Sequence, residues 1–321
     1  MHSNRKGDVM LKYVLKRLGY ILVTLWVIVT CTFFMMKNLP GTPFDAERFS
    51  IMTPQQQERV LEMYGLNDSL PMQYVKYIKN MLKGDLGTSF TYVNQDVSKV
   101  ITGRLGPSAL IGIQAVLIGL AIGLILGILA AWKHNSGIDY FTMILAVLGV
   151  SVPNFVAAAL LQYYIGLKWG VLPVGFWTGW NCSVLPSIAL SFSATAMVAR
   201  FMRTEMLDVL DQDYIVTARA KGLSQMKVLM RHAVRNSILP VVTILGPIVV
   251  NLMTGSLAVE NIFSIPGIGS LFVDCIKAND YPVIMGITIF YAAFSMLIVL
   301  LVDLAYSLID PRIRLAKGKE S

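Results

Sequence analysis

The densest group of chemically capable side chains in this sequence is basic. Arg219, Lys221, Lys227, Arg231 and Arg235 fall within Asp211–Pro240, DQDYIVTARAKGLSQMKVLMRHAVRNSILP, and no acidic residue follows Asp213 in that stretch. Such side chains pair with anions, and an amphipathic helix lying on anionic lipid is one use of them. The stretch also has an internal break. Asp211 or Asp213 is placed to cap a short helix from about Tyr214, Gly222 to end it, and Ser224 to cap a second helix running towards Pro240. The first helix would have about eight residues and be roughly 12 Å long, which is too short to be stable alone in water. Neighbouring elements have to hold it.

Elsewhere the sequence offers little chemistry. No G-x-x-x-x-G-K-[ST] occurs, because Gly318-Lys319 is followed by Glu320, so the chain has no phosphate-cradling loop of its own. H-E-x-x-H and G-x-S-x-G are absent, as is an acidic cluster for magnesium. Cys31, Cys182 and Cys275 lie far apart without C-x-x-C spacing, and His2, His134 and His232 are equally scattered, so neither a disulfide framework nor a metal site is indicated. Asp303 is the one ionisable residue inside an expected span, which gives no proton relay. These features argue against a membrane enzyme and against a proton-coupled carrier. If the chain transports something, the energy comes from another protein.

The elements that position the basic stretch are apolar. Of 321 residues, 55% are hydrophobic and only 14% charged, against about a quarter charged in a soluble domain. Mean hydropathy is +0.62. The apolar residues fall in blocks near the ~20 residues that cross a bilayer as a helix, so the fold class expected is an all-α polytopic membrane protein. Six spans are expected: Leu18–Met36, Pro107–Trp132, Tyr140–Leu167, Leu185–Ala199, Ile238–Val259 and Pro282–Leu308. The first is read as uncleaved, since no small-residue cleavage pattern follows it. Residues 37–106 between the first two spans form a small extracytoplasmic subdomain. It holds a helix over Pro54–Tyr64 closed by Gly65 and an amphipathic helix over Met72–Leu82 closed by Gly84. Glu260–Tyr281 reads as an outer loop.

Gly119, Gly123 and Gly127 recur every four residues and form a seam for close helix packing. Pro153 kinks the third span. Asn154, Gln162 and Asn251 are polar at membrane depth, where such groups either line a wet path or bond a neighbouring helix. Lys168–Val184, with Trp169, Phe176, Trp177 and Trp180, suits an interfacial belt. The net charge of +8 fits cytoplasmic loops better than nucleic-acid binding. With both ends inside, the inner segments hold five basic residues in the N-terminal segment, Lys133, seven from Arg200 to Arg235 and four in the tail. The short outer loops hold only Lys168 and Lys277, as the positive-inside rule requires.

The polar stretch resembles a known element. TARAKG (Thr217–Gly222) followed by V-L-x-R-H-A-x-R-N-S-x-L-P (Val228–Pro240) is similar to the cytoplasmic EAA loop of ABC-importer permeases, in particular the oligopeptide/dipeptide branch. YGLNDSLPMQY (Tyr64–Tyr74), KGDLGTS (Lys83–Ser89), RLGPSA (Arg104–Ala109), SVPNF (Ser151–Phe155), VLPVG (Val171–Gly175), VENIFSIPGIGSL (Val259–Leu271) and DYPVIMG (Asp280–Gly286) continue the likeness in order. The long outer insertion resembles the B-type subunit. The pattern E-A-A-x3-G, counted back from Gly222, reads Val216-Thr217-Ala218, without the glutamate.

The resemblance implies a type I importer permease with residues 1–36 as the inner N-terminus and first helix, 37–106 as the outer insertion, 107–308 as the transmembrane domain containing the coupling loop 211–240, and 309–321 as a cytoplasmic tail. It implies that Thr217, Ala218, Arg219, Ala220, Lys221, Gly222 and Leu223 dock on an ATP-binding cassette subunit. It implies as partners a second, C-type permease, two cassettes carrying ATP and Mg, an extracytoplasmic peptide-binding protein and the lipid bilayer, in a bacterial cell membrane. No cofactor or metal is expected on this chain. Oligopeptides are the expected cargo, with dipeptides or nickel as alternatives in the same branch and a membrane enzyme or scaffold as the alternative outside it.

Overall fold

The computed structural model describes residues 2–38, 49, 51–63, 65–92, 95–253 and 257–309. Part of the outer insertion, Tyr64 at the end of its first helix, part of the fifth span and the basic tail 310–321 therefore lie outside the described residues. Five helical stretches are long and apolar enough to cross a membrane: Leu15–Lys37, Val97–Trp132, Trp180–Leu210, Gln225–Ile262 and Tyr281–Leu304. A bent pair, Gly137–Ser151 with Asn154–Lys168, makes a sixth if counted as one span. Among the described residues there is no strand, and one isolated bridge joins Thr88 and Asp96. The all-α expectation therefore holds.

The chain divides into two compact units, Met1–Gly106 with Ser270–Met296 and Pro107–Gly269 with Leu297–Ser321. In the first unit, α1 (His2–Lys37) is followed by α2 (Pro54–Met63) and α3 (Leu70–Met81). A reciprocal capping box starts α2: the Gln56 N–H donates to Thr53 Oγ1 at 3.4 Å and the Thr53 N–H to Gln56 Oε1 at 2.9 Å. Helix α3 rests on α1 through Tyr74 and Tyr77 against Phe33, with rings 5.4 and 5.9 Å apart. Thr30 Oγ1 and the Tyr74 hydroxyl are 2.7 Å apart.

Asp280 is the fastener of this unit and is fully buried. Its carboxylate accepts the Ser89 hydroxyl and the N–H groups of Phe90 and Thr91, at 3.1 and 3.0 Å for the two N–H groups. Its carbonyl accepts the Ile284 N–H at 3.0 Å. One residue thus caps the last span and grips the insertion.

The second unit is built on α7 (Val184–Leu210). Against it pack α5 (Gly137–Ser151), α6 (Asn154–Leu161) and α10 (Arg235–Met253), with α4 (Val97–Trp132) alongside. The glycine seam of α4 is what admits α7. A methyl added to Gly119, Gly123 or Gly127 would lie 2.7 Å from atoms of Ala194, Val198 or Ala199 and Met202. At the α7 end nearest the polar stretch, Arg203 donates through Nε to Asp139 Oδ1 at 2.6 Å and through Nη2 to Oδ2 at 2.7 Å. This is a bidentate pair on a carboxylate with almost no exposure.

Several expected boundaries move. Helix α4 begins at Val97, not Pro107, because Val97, Val100 and Ile101 are buried and their burial outweighs the backbone bond that Pro107 forfeits. The third span is broken near its middle, as Pro153 indicates. Val152 leaves the helix at φ −82°, ψ 118°, and the two halves meet at 100°. Helix α7 continues eleven residues past Ala199, because its far end is itself packed. The fifth span starts at Gln225 (α9, Gln225–Val228), passes a π-helical turn at Leu229–Val234 and runs through Pro240 and Pro247 inside α10. Glu260–Tyr281 is not a plain loop. It contains the end of α11 (Leu257–Ile262) and all of α12 (Ile268–Lys277), and it leads into α13 (Tyr281–Ile309), in which Asp303 lies.

Candidate functional site

The basic stretch folds as a small buttressed hairpin. The short helix, α8, spans Asp213–Ala220. Its first N–H groups are met from the backbone, with Ile215 N–H donating to the Gln212 carbonyl at 2.9 Å, so the cap position belongs to Gln212. Asp213 sits one place inside, where its charge favours the helix N-terminus. Ser224 holds the cap position of α9 without a side-chain cap bond. Its carbonyl accepts the Val228 N–H at 3.0 Å.

Gly222 ends α8 at φ +78°, the left-handed region. The Gly222 N–H reaches the Arg219 carbonyl at 2.9 Å and the Leu223 N–H the Ala218 carbonyl at 3.3 Å. This bond pair is a Schellman closure, with Leu223 as its apolar contact.

Ile215, Ala218 and Val228 form a buried cluster on which Val209, Leu210 and Leu223 pack. Burying an isoleucine side chain contributes roughly 1.5–3 kcal/mol, enough to hold a two-turn helix that is marginal alone. Asn236 Nδ2 donates to the Tyr214 hydroxyl at 2.9 Å and ties α8 to the start of α10. Ser237 Oγ donates to the Glu205 carbonyl at 3.2 Å and ties α10 to α7.

The seven residues expected to dock thus divide. Thr217, Arg219, Ala220, Lys221 and Gly222 are exposed and Leu223 half-buried, whereas Ala218 is turned inward against Ile215 and Val228. The small size of Ala218 serves the hairpin's own packing. Four exposed apolar side chains beside that face, Tyr214, Val216, Met226 and Met230, were missed. All five basic residues from Arg219 to Arg235 are exposed.

The three polar residues of the expected path differ in their surroundings. Gln162, in the π-helical turn Gln162–Lys168, donates through Nε2 to the carbonyls of Val174 at 2.5 Å and Ile262 at 2.7 Å. It bonds neighbouring segments. Asn154 is half-buried at the start of α6, and Asn251 is exposed on α10. A third buried carboxylate, besides Asp139 and Asp280, was also missed. Glu260 Oε1 accepts the Ser108 hydroxyl at 2.7 Å, and Ser108 Oγ accepts the Ile268 N–H at 2.8 Å. Gly267 leaves room for this carboxylate, since a methyl there would lie 2.3 Å from Glu260 Oε2. Among the described residues no group of three His, Cys, Asp or Glu side chains is placed to hold a metal.

Long apolar helices carrying one buttressed, outward-facing polar hairpin define a multi-pass membrane protein. The particular family follows from comparison with known proteins. Binding-protein-dependent transport system inner membrane component matches residues 123–315, and the N-terminal region of the same kind of component matches residues 10–107. The chain is 46% identical to the dipeptide transport system permease protein DppB of Lactococcus lactis subsp. cremoris, over 95% of this chain and 100% of that protein. It is 43% identical to DppB of Bacillus subtilis, over 96% and 99%. It is 39% identical to the oligopeptide transport system permease protein OppB of Haemophilus influenzae, over 95% and 100%. The fold is similar to an amino acid ABC transporter with TM-score 0.50 and 19% identity, over 67% of this chain and 94% of that one. It is also similar to the MetNI methionine ABC transporter with TM-score 0.50 and 14% identity, over 68% and 95%. The chain belongs to the family of binding-protein-dependent transport system inner membrane components, and its fold is that of a type I ABC importer permease.

Proposed function

We propose that this chain forms half of the translocation path of an ATP-driven peptide importer and receives the ATPase stroke through α8. The observation that carries the coupling role is the mounting of α8. Ile215 and Ala218 bolt it to the end of α7 and the start of the fifth span, while Val216, Thr217, Arg219, Ala220 and Lys221 face outward. A cassette gripping that face moves two spans together. Arg219 and Lys221 pair there with partner carboxylates, and Tyr214 and Val216 supply the apolar contact that surface ion pairs alone lack. ATP and Mg bind on the cassettes. A second, C-type permease completes the path, a binding protein delivers cargo from outside, and both termini of this chain lie in the cytoplasm.

Peptide cargo is supported by the relatives named as dipeptide and oligopeptide permeases. The oligopeptide reading stands beside a dipeptide one, which the higher identity to two dipeptide permeases favours. The test of docking is co-purification in mild detergent with co-expressed cassette subunits. Val216→Asp with Lys221→Glu is expected to release the cassettes while the permease stays in the membrane, and cassettes retained in full by that variant refute docking at α8. Competition of labelled tripeptide uptake by dipeptides, pentapeptides and nickel then assigns the cargo.

A further inference from the structure

Helix α3 carries a stripe that its own contacts leave uncovered. Tyr74, Tyr77 and Met81 share the half-buried face, with the two tyrosines on α1. Next to it, Pro71, Val75, Ile78 and Leu82 recur at i, i+4, i+7 and i+11, the spacing of one helix face; Pro71, Val75 and Leu82 are exposed and Ile78, at the edge adjoining the tyrosines, is half-buried. Leu82 follows the last helical residue in right-handed geometry and so continues that face. Val75 is 58% and Leu82 78% exposed. Beyond the stripe come Lys79 and Lys83, both exposed.

What covers the stripe follows from where α3 is fastened. Its Tyr74 hydroxyl meets Thr30, seven residues before the Lys37 end of α1, which is about 10 Å along the helix axis. Thr30 lies within the apolar span Leu15–Lys37, and beside it Phe34 and Met35 are exposed. An amphipathic helix fastened to a membrane span at that depth has its apolar stripe level with lipid, and lysine stems carry their charges back to the headgroups.

We infer that α3 is an interfacial helix. Pro71, Val75, Ile78 and Leu82 enter the leaflet at the Lys37 end of α1, and Lys79 and Lys83 meet lipid phosphates. The occupant is the bilayer itself, and nothing in the inference depends on peptide transport.

The test uses the full chain in vesicles of phosphatidylethanolamine and phosphatidylglycerol, with Cys31→Ser to remove the exposed cysteine. Spin labels are placed by Val75→Cys, Leu82→Cys and Asn80→Cys, the last on the opposite flank. Collision with oxygen and with a water-soluble nickel chelate is then measured by power saturation. Labels at 75 and 82 are expected to meet oxygen freely and the nickel chelate several-fold less than the label at 80. Equal nickel access at all three positions overturns the inference in favour of a water-facing stripe. Protection of 75 and 82 from both reagents overturns it in favour of a protein cover. All three positions are exposed, so the labels leave the fold intact. The readout needs no cassette, so a failed uptake assay and a failed depth assay are separable.

Discussion

Gly222 offers a way to separate two reasons for a glycine at the end of α8. It adopts φ +78°, and a methyl built on it meets nothing within 4 Å. Within this chain, therefore, the constraint is backbone conformation and not space. An L-residue in the left-handed region costs roughly 1–2 kcal/mol, more when β-branched and less for asparagine. Since 1.4 kcal/mol is a factor of ten, Gly222→Ala leaves about a tenth as much correctly closed hairpin relative to open forms, and Gly222→Val less. The α7 and α10 anchors remain, so the protein should still reach the membrane. Uptake of labelled peptide by proteoliposomes holding the full transporter is expected to fall in the order Gly, Asn, Ala, Val. Immunodetection in the membrane fraction normalises each value. Asparagine is larger than alanine but better suited to positive φ, and that makes the order diagnostic. If alanine outperforms asparagine, side-chain bulk against a partner sets the requirement and the backbone reasoning is refuted. Undiminished uptake by Gly222→Val would sink the role of the closure altogether.

Three further outcomes test the buried fasteners. Asp280→Asn loses the charge that strengthens three hydrogen bonds from residues 89–91, and should lower thermal stability in detergent by about 2 kcal/mol, with proteolysis first in the insertion; unchanged cleavage there contradicts the fastening role. Gly267→Ala drives a methyl onto the Glu260 carboxylate and should destabilise by about 1–3 kcal/mol, whereas Gly137→Ala, where the added methyl meets nothing, should not; equal melting temperatures for the two refute the packing reason. Cys275 is buried, and burial together with the charges of Asp280 and Asp274 pushes its thiol up to about 12. At pH 8 about one thiol in ten thousand is then thiolate, so Cys275 should resist iodoacetamide until the protein is unfolded; modification in the folded state, read by mass spectrometry, counts against that burial.

The helical class was legible because spans are long and uniformly apolar, and the glycine seam because a four-residue repeat puts its members on one face. Helix ends were less legible, and the reason is the same in each case. Val97–Ile101 and the far end of α7 stay helical because tertiary contacts bury them, and no local stop signal records those contacts. Pro107 reads as a boundary in isolation but sits inside a helix. The site was legible at Gly222, where one residue type meets one backbone requirement. It was not legible at Ala218, since a small residue fits an inner and an outer contact equally well. Asp280 and Glu260 looked like loop charges because their partners are 189–191 and 152 positions away in the chain.

The placement of α7 gives these local facts a common consequence. One end of α7 carries Val209 and Leu210 into the cluster beneath α8. Slightly further along, Arg203 grips Asp139 at the start of α5, and Ala194, Val198, Ala199 and Met202 fill the seam left by Gly119, Gly123 and Gly127 of α4. Each contact is close, and packed helices of this kind shift as bodies because their interiors have no slack to absorb strain. Through α7, α8 is therefore tied to α4, α5 and α10 within one compact unit. Compliance has to lie where the chain is interrupted, and in this unit the sharpest interruption is the 100° turn at Val152 and Pro153. The outer half of that broken span is held by Gln162 on the carbonyls of Val174 and Ile262. The two halves of the broken span are thus fastened separately, one by the Arg203–Asp139 pair and the other by the Gln162 bonds, on either side of the turn.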